Sequence, residues 1–265
     1  MRERIVSVQN EQIKNVCKLS AKARERKEQG LFIIEGVREL SLALSSGYTF
    51  EAIYVCPALF EKNDSPAIIQ AFPDTIVCEV SEPVFRKMAY RENSGGVLAV
   101  AKSRSHFLSD IHLSENPFLI IVESVEKPGN LGAILRTADA SKTDAVIVCD
   151  PLTDVYNPNV IRSSIGCVFT VPIAVCTNEE AFSFLKTNHI QSFAAELTAI
   201  QRYQEADFTS PSAIILGTEA DGLTDFWISH ADLRIKIPMR GVIDSLNVSV
   251  STAILAFEAL RQRGF

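Results

Sequence analysis

Five consecutive apolar residues, Phe118-Leu119-Ile120-Ile121-Val122, run into the loop Glu123-Ser124-Val125-Glu126-Lys127-Pro128-Gly129-Asn130 and then into a helical pattern. A strand with no polar alternation has both faces covered, the situation of a strand in a parallel sheet flanked by helices. The run therefore commits the second half of the chain to an α/β layered fold. Further strands are expected at 144–149, 189–194 and 212–216, with helical patterns near 131–140, 159–165 and 178–187 between them. That alternation predicts a mainly parallel sheet.

The first third reads as a smaller α/β unit. A basic helix is expected over 9–28, stopped by Gly30, and Leu31-Phe32-Ile33-Ile34 follows as a buried strand. A helix over 37–47, strands at 52–56, 75–80 and 96–101, and a short helix opened by Ser81 and Pro83 complete it. The serine-bearing stretch that follows has little pattern. It divides the chain into a first domain at 1–105, a linker at 106–116 and a second domain at 117–265.

Ligands in open parallel sheets bind at the carboxyl ends of strands, which directs attention to three loops. One is Pro128-Gly129-Asn130. A second is Gly217-Thr218-Glu219-Ala220-Asp221-Gly222-Leu223, after the strand Ile214-Ile215-Leu216. The third, Ile237-Pro238-Met239 through Ser245-Leu246-Asn247-Val248-Ser249, empties into the last helix, where side-chain oxygens and unpaired N–H groups collect. Along that helix Val250, Ile254, Phe257 and Leu260 form an apolar stripe expected to face the core, while Ser249, Ser251, Ala253 and Ala256 allow close approach of a neighbour.

Composition narrows the chemistry. No apolar run approaches the roughly 20 residues of a membrane span, and Met1-Arg2-Glu3-Arg4 opens no secretory signal, so no membrane role and a cytoplasmic location are expected. The six cysteines form no Cys-x-x-Cys pair and the four histidines do not complement them, so no metal is expected. The net charge of −6 is uneven. Residues 1–105 hold 15 Lys and Arg against 13 Asp and Glu, a balance of +2, whereas the remainder holds 11 against 19, a balance of −8. Lys14, Lys18, Lys22, Arg24, Arg26 and Lys27 concentrate the positive charge near the start, where an anionic partner would be met, or where a helix merely presents a solvated face. No dinucleotide fingerprint, Walker A sequence or Gly-x-Ser-x-Gly elbow is present.

Taken together, the three loops resemble a known family. Asn130-Leu131-Gly132-Ala133 with Arg136-Thr137-Ala138, then Gly217-x-Glu219-x-x-Gly222-Leu223, then Ile237-Pro238-Met239 with Ser245-Leu246-Asn247-Val248-Ser249-Val250, occur in the order and spacing of the SpoU family of RNA 2'-O-ribose methyltransferases, TrmH-like members of the SPOUT superfamily. Lys27-x-x-Gly30-Leu31-Phe32-Ile33-Ile34-Glu35-Gly36 and Gly96-Val97-Leu98-Ala99-Val100 resemble that family's small substrate-binding domain, related to RNA-binding ribosomal proteins. Ser141-Lys142 and Ser251 depart from the family's usual residues at positions away from the expected chemistry.

The resemblance implies a C-terminal trefoil knot, S-adenosyl-L-methionine as cofactor, RNA as partner and a homodimer with its sites at the subunit interface. It places the cofactor on the main chain of Gly217, Ile237 and Leu246. Arg136 matches the family's essential arginine; its pKa above about 12 makes it a poor base, so it would hold the target phosphate and stabilise a developing alkoxide. Asn130 would position the ribose, order its loop or cap a helix. Glu219 would fix the knot loops or Arg136, and Ser245 and Asn247 would line the acceptor pocket or cap the last helix. The basic residues from Lys14 to Lys27 would meet RNA phosphates. A separate N-terminal domain favours ribosomal over transfer RNA. Transfer RNA, and a non-catalytic RNA-binding protein of the same shape, are the alternatives.

Overall fold

Leu31–Glu35 is buried at every residue because both its faces are covered. The computed structural model describes residues 4–60, 75–91, 95–218 and 221–264. By its contacts the chain forms two compact units, Met1–Ser105 with Asp154–Thr170, and His106–Thr153 with Val171–Phe265.

The first unit holds a five-stranded sheet in the order β1-β4-β3-β5-β2. Its strands are β1 (Arg4–Ile5), β2 (Leu31–Glu35), β3 (Phe50–Val55), β4 (Ile76–Val80) and β5 (Val97–Lys102). Here β5 runs antiparallel to both β2 and β3, while β4 is parallel to β1 and β3. On one face Leu31 and Ile33 join Ile13, Val16 and Leu19 of α1 (Glu11–Ala21) and Phe85 of α4 (Glu82–Met88). On the other face Phe32 stacks on Tyr156 with centroids 4.1 Å apart, and Tyr48 meets Phe169 edge-on at 5.1 Å. Those aromatic contacts hold 154–170, with its short helix α6 (Pro158–Ser163), in this unit. Helix α3 (Val37–Ser45) completes the layer.

The expected single helix over 9–28 is two helices, α1 and α2 (Ala23–Gln29), separated by Lys22 in an extended conformation. The break has a tertiary cause. Arg26 is 5% exposed and turns back so that Nη1 donates to the carbonyls of Leu19 (2.7 Å) and Ser20 (3.3 Å), the end of α1. Its Nε donates to Asp154 at 2.5 Å, which ties α2 to the 154–170 segment. Gly30, at φ 64°, ends α2 as its sequence position predicts. Replacing Arg26 by Ala leaves buried carbonyls and Asp154 without their donor, so denaturant unfolding of the variant should show a loss of about 3 kcal/mol. A loss below about 0.5 kcal/mol, the ordinary surface range, would contradict the role assigned to this side chain.

The second unit carries seven strands in the order β10-β12-β9-β11-β6-β7-β8. They are β6 (Phe118–Glu123), β7 (Ala145–Cys149), β8 (Ile173–Cys176), β9 (Gln191–Ala195), β10 (Gln201–Arg202), β11 (Ser212–Leu216) and β12 (Leu233–Lys236). Every pairing between them is parallel. Helices α5 (Pro128–Ala140), α7 (Asn178–Thr187), α8 (Asp225–His230) and α9 (Val248–Arg263) cover the sheet. Leu119, Ile121, Ile147, Ile215 and Trp227 lie in one core cluster. After β6 the chain moves to β7 on one side, whereas β11 pairs with β6 on the other. That reversal opens a crevice at the carboxyl ends of β6 and β11.

Helix α9 packs against α5. Its buried residues are Thr252, Leu255, Ala256 and Ala259. The stripe expected to face the core lies elsewhere: Val250 is 47% and Phe257 42% exposed. Ile254 and Leu260 of that stripe are half-buried, so the apolar side is left open at Val250 and Phe257. Among the described residues, no helix is long and apolar enough to cross a membrane.

Candidate functional site

The carboxyl end of β6 is fixed by a buried carboxylate. Glu123, 1% exposed, accepts the Thr224 N–H at 2.8 Å, the Thr224 hydroxyl at 2.6 Å and the Asn178 side-chain amide at 2.6 Å. Asn178 in turn accepts the Trp227 indole N–H at 2.6 Å. This network anchors the end of the 217–224 loop to the strand beside it. A buried carboxylate surrounded by donors is stabilising only when the set is complete, and here both oxygens are engaged.

The loop itself is a tight reversal. Thr218 and Gly222 exchange N–H···O bonds of 2.9 and 3.2 Å, the Asp221 N–H donates to the Thr218 hydroxyl at 3.0 Å, and Gly222 has φ +70°. At Gly217 an added Cβ would stand 2.0 Å from the Gly222 carbonyl oxygen, so the backbone closes on itself where no side chain fits.

The third loop ends at Asn247, the N-cap of α9. Its side-chain oxygen accepts the Ser249 N–H at 3.0 Å and the Ser249 hydroxyl at 2.6 Å, and its amide donates to Asn130 at 3.2 Å. The capping role and the contact with the first loop are therefore made by one side chain. Ser245 donates to Asp244 at 3.1 Å.

These loops enclose a cleft of about 510 Å³ lined by Gly217, Ile237, Met239, Ser245 and Leu246, with Glu196 and Leu197 from the end of β9. A second hollow of about 90 Å³ shares Gly217, Thr218, Asp221 and Val248 with it and reaches Lys127 and Asn130. The larger volume falls in the range of small-molecule sites, about 300–1,000 Å³. All three residues expected on the cofactor thus share one cleft, with Ser245 in the same wall and Asn130 in the adjoining hollow.

Arg136 lies elsewhere on α5. It is exposed, lines neither hollow, and makes no hydrogen bond or ion pair among the described residues. Glu219 lies outside the described residues. Of the basic set, Lys18, Lys22, Arg24 and Lys27 are exposed and Lys14 is half-buried; Lys14 pairs with Glu11 at 2.8 Å and Arg24 with Glu28 at 2.6 Å. Arg26 departs from the set, being buried and engaged as described above.

Sequence reasoning missed the wall contributed by the end of β9. The rule that selected the other loops also covers it, since β9 pairs with β11 on the side away from β6. The buried Cys149 thiol, near the same end of the sheet, is pushed far up by its hydrogen bond with Cys176 and by burial, which keeps it a protonated thiol rather than a nucleophile. Among the described residues no group of three or more His, Cys, Asp or Glu could hold a metal.

A parallel sheet with a small hollow at its switch point, a larger cleft beside it at the ends of β9 and β11, and Asn, Gly and Ser loops around both has the form of a small-molecule site, and comparison supplies the family. The SpoU rRNA Methylase family matches residues 117–257, and the MRM3-like substrate binding domain matches residues 10–99. The chain belongs to the SpoU rRNA methylase family. It is 31% identical to the 23S rRNA (guanosine-2'-O-)-methyltransferase RlmB of Pectobacterium atrosepticum over 88% of this chain and 98% of that one. A solved RNA 2'-O ribose methyltransferase shares 37% identity, with a TM-score of 0.85 over 98% of this chain and 99% of the other. An AdoMet-bound rRNA methyltransferase from Sinorhizobium meliloti is 28% identical, with a TM-score of 0.89 over 98% and 97%. The expected SpoU α/β fold with its smaller N-terminal domain is the fold observed.

Proposed function

We propose that this chain transfers a methyl group from S-adenosyl-L-methionine to a ribose 2'-hydroxyl of ribosomal RNA. The observation that carries the reading is the convergence of Gly217, Ile237 and Leu246 on one cleft, with Asn130 in the adjoining hollow joined to Asn247 across the loops. The residues fit the cofactor: the cleft has the required size, and Gly217, against which the Gly222 main chain closes, lines its wall together with Ile237 and Leu246. Bound there, S-adenosyl-L-methionine supplies an electrophilic methyl that passes from sulfur to the ribose oxygen as the C–S bond breaks, its electron pair stays on sulfur and the hydroxyl proton leaves to phosphate or water.

The chain's own part is positioning. The Asn247–Asn130 bond sets the distance between the two hollows, and Ser245 and Asn130 orient the acceptor ribose. Arg136 holds the target phosphate and stabilises negative charge growing on the ribose oxygen. Incubating the protein with methyl-labelled cofactor and ribosomal RNA should yield labelled 2'-O-methyl nucleosides; label on a base instead would overturn the reading.

Arg136 stands away from its own chain's cleft, and the open apolar side of α9 (Val250, Phe257), with Val242 and Ile243 in the loop before it, suits a second copy of the chain. We infer a homodimer in which this face is shared and each arginine serves an interface site. Phe257→Asp should halve the mass measured by light scattering and reduce methyl transfer at least about tenfold, the cost of roughly 1.4 kcal/mol in positioning. A variant that remains dimeric and active would place the interface elsewhere.

Residues 1–105 form the RNA-binding domain in this reading, with 106–116 as linker and 117–265 as the methyltransferase domain, and the protein works in the cytoplasm. Lys14, Lys18, Lys22, Arg24 and Lys27 offer phosphate contacts, while Arg26 serves the fold. Reversing Arg24 and Lys27 to Glu should weaken RNA binding and lower the salt slope by about two counterions' worth. Unchanged affinity and slope would move the RNA site off α2.

A further inference from the structure

Glu196 stands at the end of β9 with its backbone N–H bonded to the Ile235 carbonyl at 2.9 Å, and it lines the large cleft. Its side chain is only 9% exposed. One carboxylate oxygen, Oε2, accepts the Thr198 hydroxyl at 2.7 Å and the Thr198 N–H at 3.2 Å. The other, Oε1, is buried and has no hydrogen-bond donor among the described residues. Arg234, itself 46% exposed, lies 3.6 Å from Oε1, near enough to balance the charge but too far to donate a hydrogen bond.

A buried carboxylate oxygen without a donor is costly, and one in the wall of a ligand cleft has an evident means of being satisfied. Because Arg234 already balances the charge, what Oε1 lacks is a hydrogen bond. Neutral hydroxyls supply that; a second cation would overcompensate. We propose that Glu196 reads the ribose diol of the adenosyl group, Oε1 accepting a cofactor hydroxyl while Thr198 holds the carboxylate in place. The inference rests on the cofactor reading given above and adds to it a specificity-determining residue outside the three motif loops.

The test is a cycle of binding measurements by calorimetry, with S-adenosylhomocysteine and its 2'-deoxy and 3'-deoxy analogues as probes. The unaltered protein should bind at least one deoxy analogue about tenfold or more weakly, the scale of a lost hydrogen bond to a charged group. Glu196→Ala should bind S-adenosylhomocysteine weakly by a similar factor and should no longer distinguish it from that analogue. Glu196→Gln, which keeps the shape and an acceptor, should fall between. The proposal is overturned if the unaltered protein binds all three probes equally, or if Glu196→Ala weakens all three alike, which is the mark of a general packing role or of contact with the amino-acid end. Absence of S-adenosylhomocysteine binding by the unaltered protein would instead remove the cofactor reading itself, and the proposal with it.

Discussion

Arg136→Ala is expected to cut methyl transfer by about a hundredfold to a thousandfold, while leaving cofactor affinity within about twofold. The magnitude follows from removing a charged group aimed at a developing oxyanion, which typically costs 10²–10³ in rate or about 2.7–4 kcal/mol. The selectivity follows from the structure. Arg136 is exposed and lines neither hollow, so the cofactor cleft of the same chain does not depend on it. Its fold role is equally small, since it makes no hydrogen bond or ion pair among the described residues. Single-turnover methyl transfer and calorimetric cofactor titration on one preparation separate the two quantities. Near-normal transfer by the folded variant would remove Arg136 from the chemistry, and loss of cofactor binding in step with activity would make it a cleft residue after all.

Gly217→Val should behave in the opposite way, failing at the binding step. The added Cβ alone would stand 2.0 Å from the Gly222 carbonyl oxygen and 2.4 Å from the Leu223 nitrogen, both main-chain atoms that cannot rotate aside. The reversal held by Thr218 and Gly222 must open, and Glu123, tied to Thr224 just past the loop, then loses its geometry. Cofactor affinity should drop by about a hundredfold or more, with a stability loss of about 2 kcal/mol of the kind that follows from forcing a side chain into an overdetermined turn. Thermal unfolding with and without cofactor reads both effects, because a ligand that binds only the folded state raises the midpoint. A normal ligand-induced shift in this variant would mean that the 217–224 loop does not hold the cofactor.

The candidate site was legible in the sequence only where backbone chemistry dictates residue type. Gly217 and Gly222 had to be glycine for a close approach and a positive φ, and Asn247 caps α9 and so announces itself at a helix start. These are local requirements, visible in one stretch of chain. What stayed hidden depends on distant partners. The break at Lys22 has no Gly or Pro to signal it; it follows from Arg26 turning back on Leu19 and from Asp154, 128 residues away, accepting its Nε. Tyr156 lies outside every element expected from the sequence, and nothing local says that it stacks on Phe32. On α9 the helical spacing of Val250 and Phe257 was correct but both are exposed, because the pattern marks one side as apolar without saying what covers it. Glu196 gave no signal because an acidic residue after a strand is ordinary until its surroundings are known.

The most direct test of the account is methyl transfer from labelled S-adenosyl-L-methionine to total RNA, with the ribosomal and transfer fractions then separated and digested to nucleosides. The account predicts label in the ribosomal fraction, on 2'-O-methyl nucleosides, and at least about a hundredfold slower labelling by the Arg136→Ala protein. Label confined to transfer RNA would contradict the assignment of substrate, and no label in either fraction from protein that binds the cofactor would contradict the claim of catalysis on free RNA.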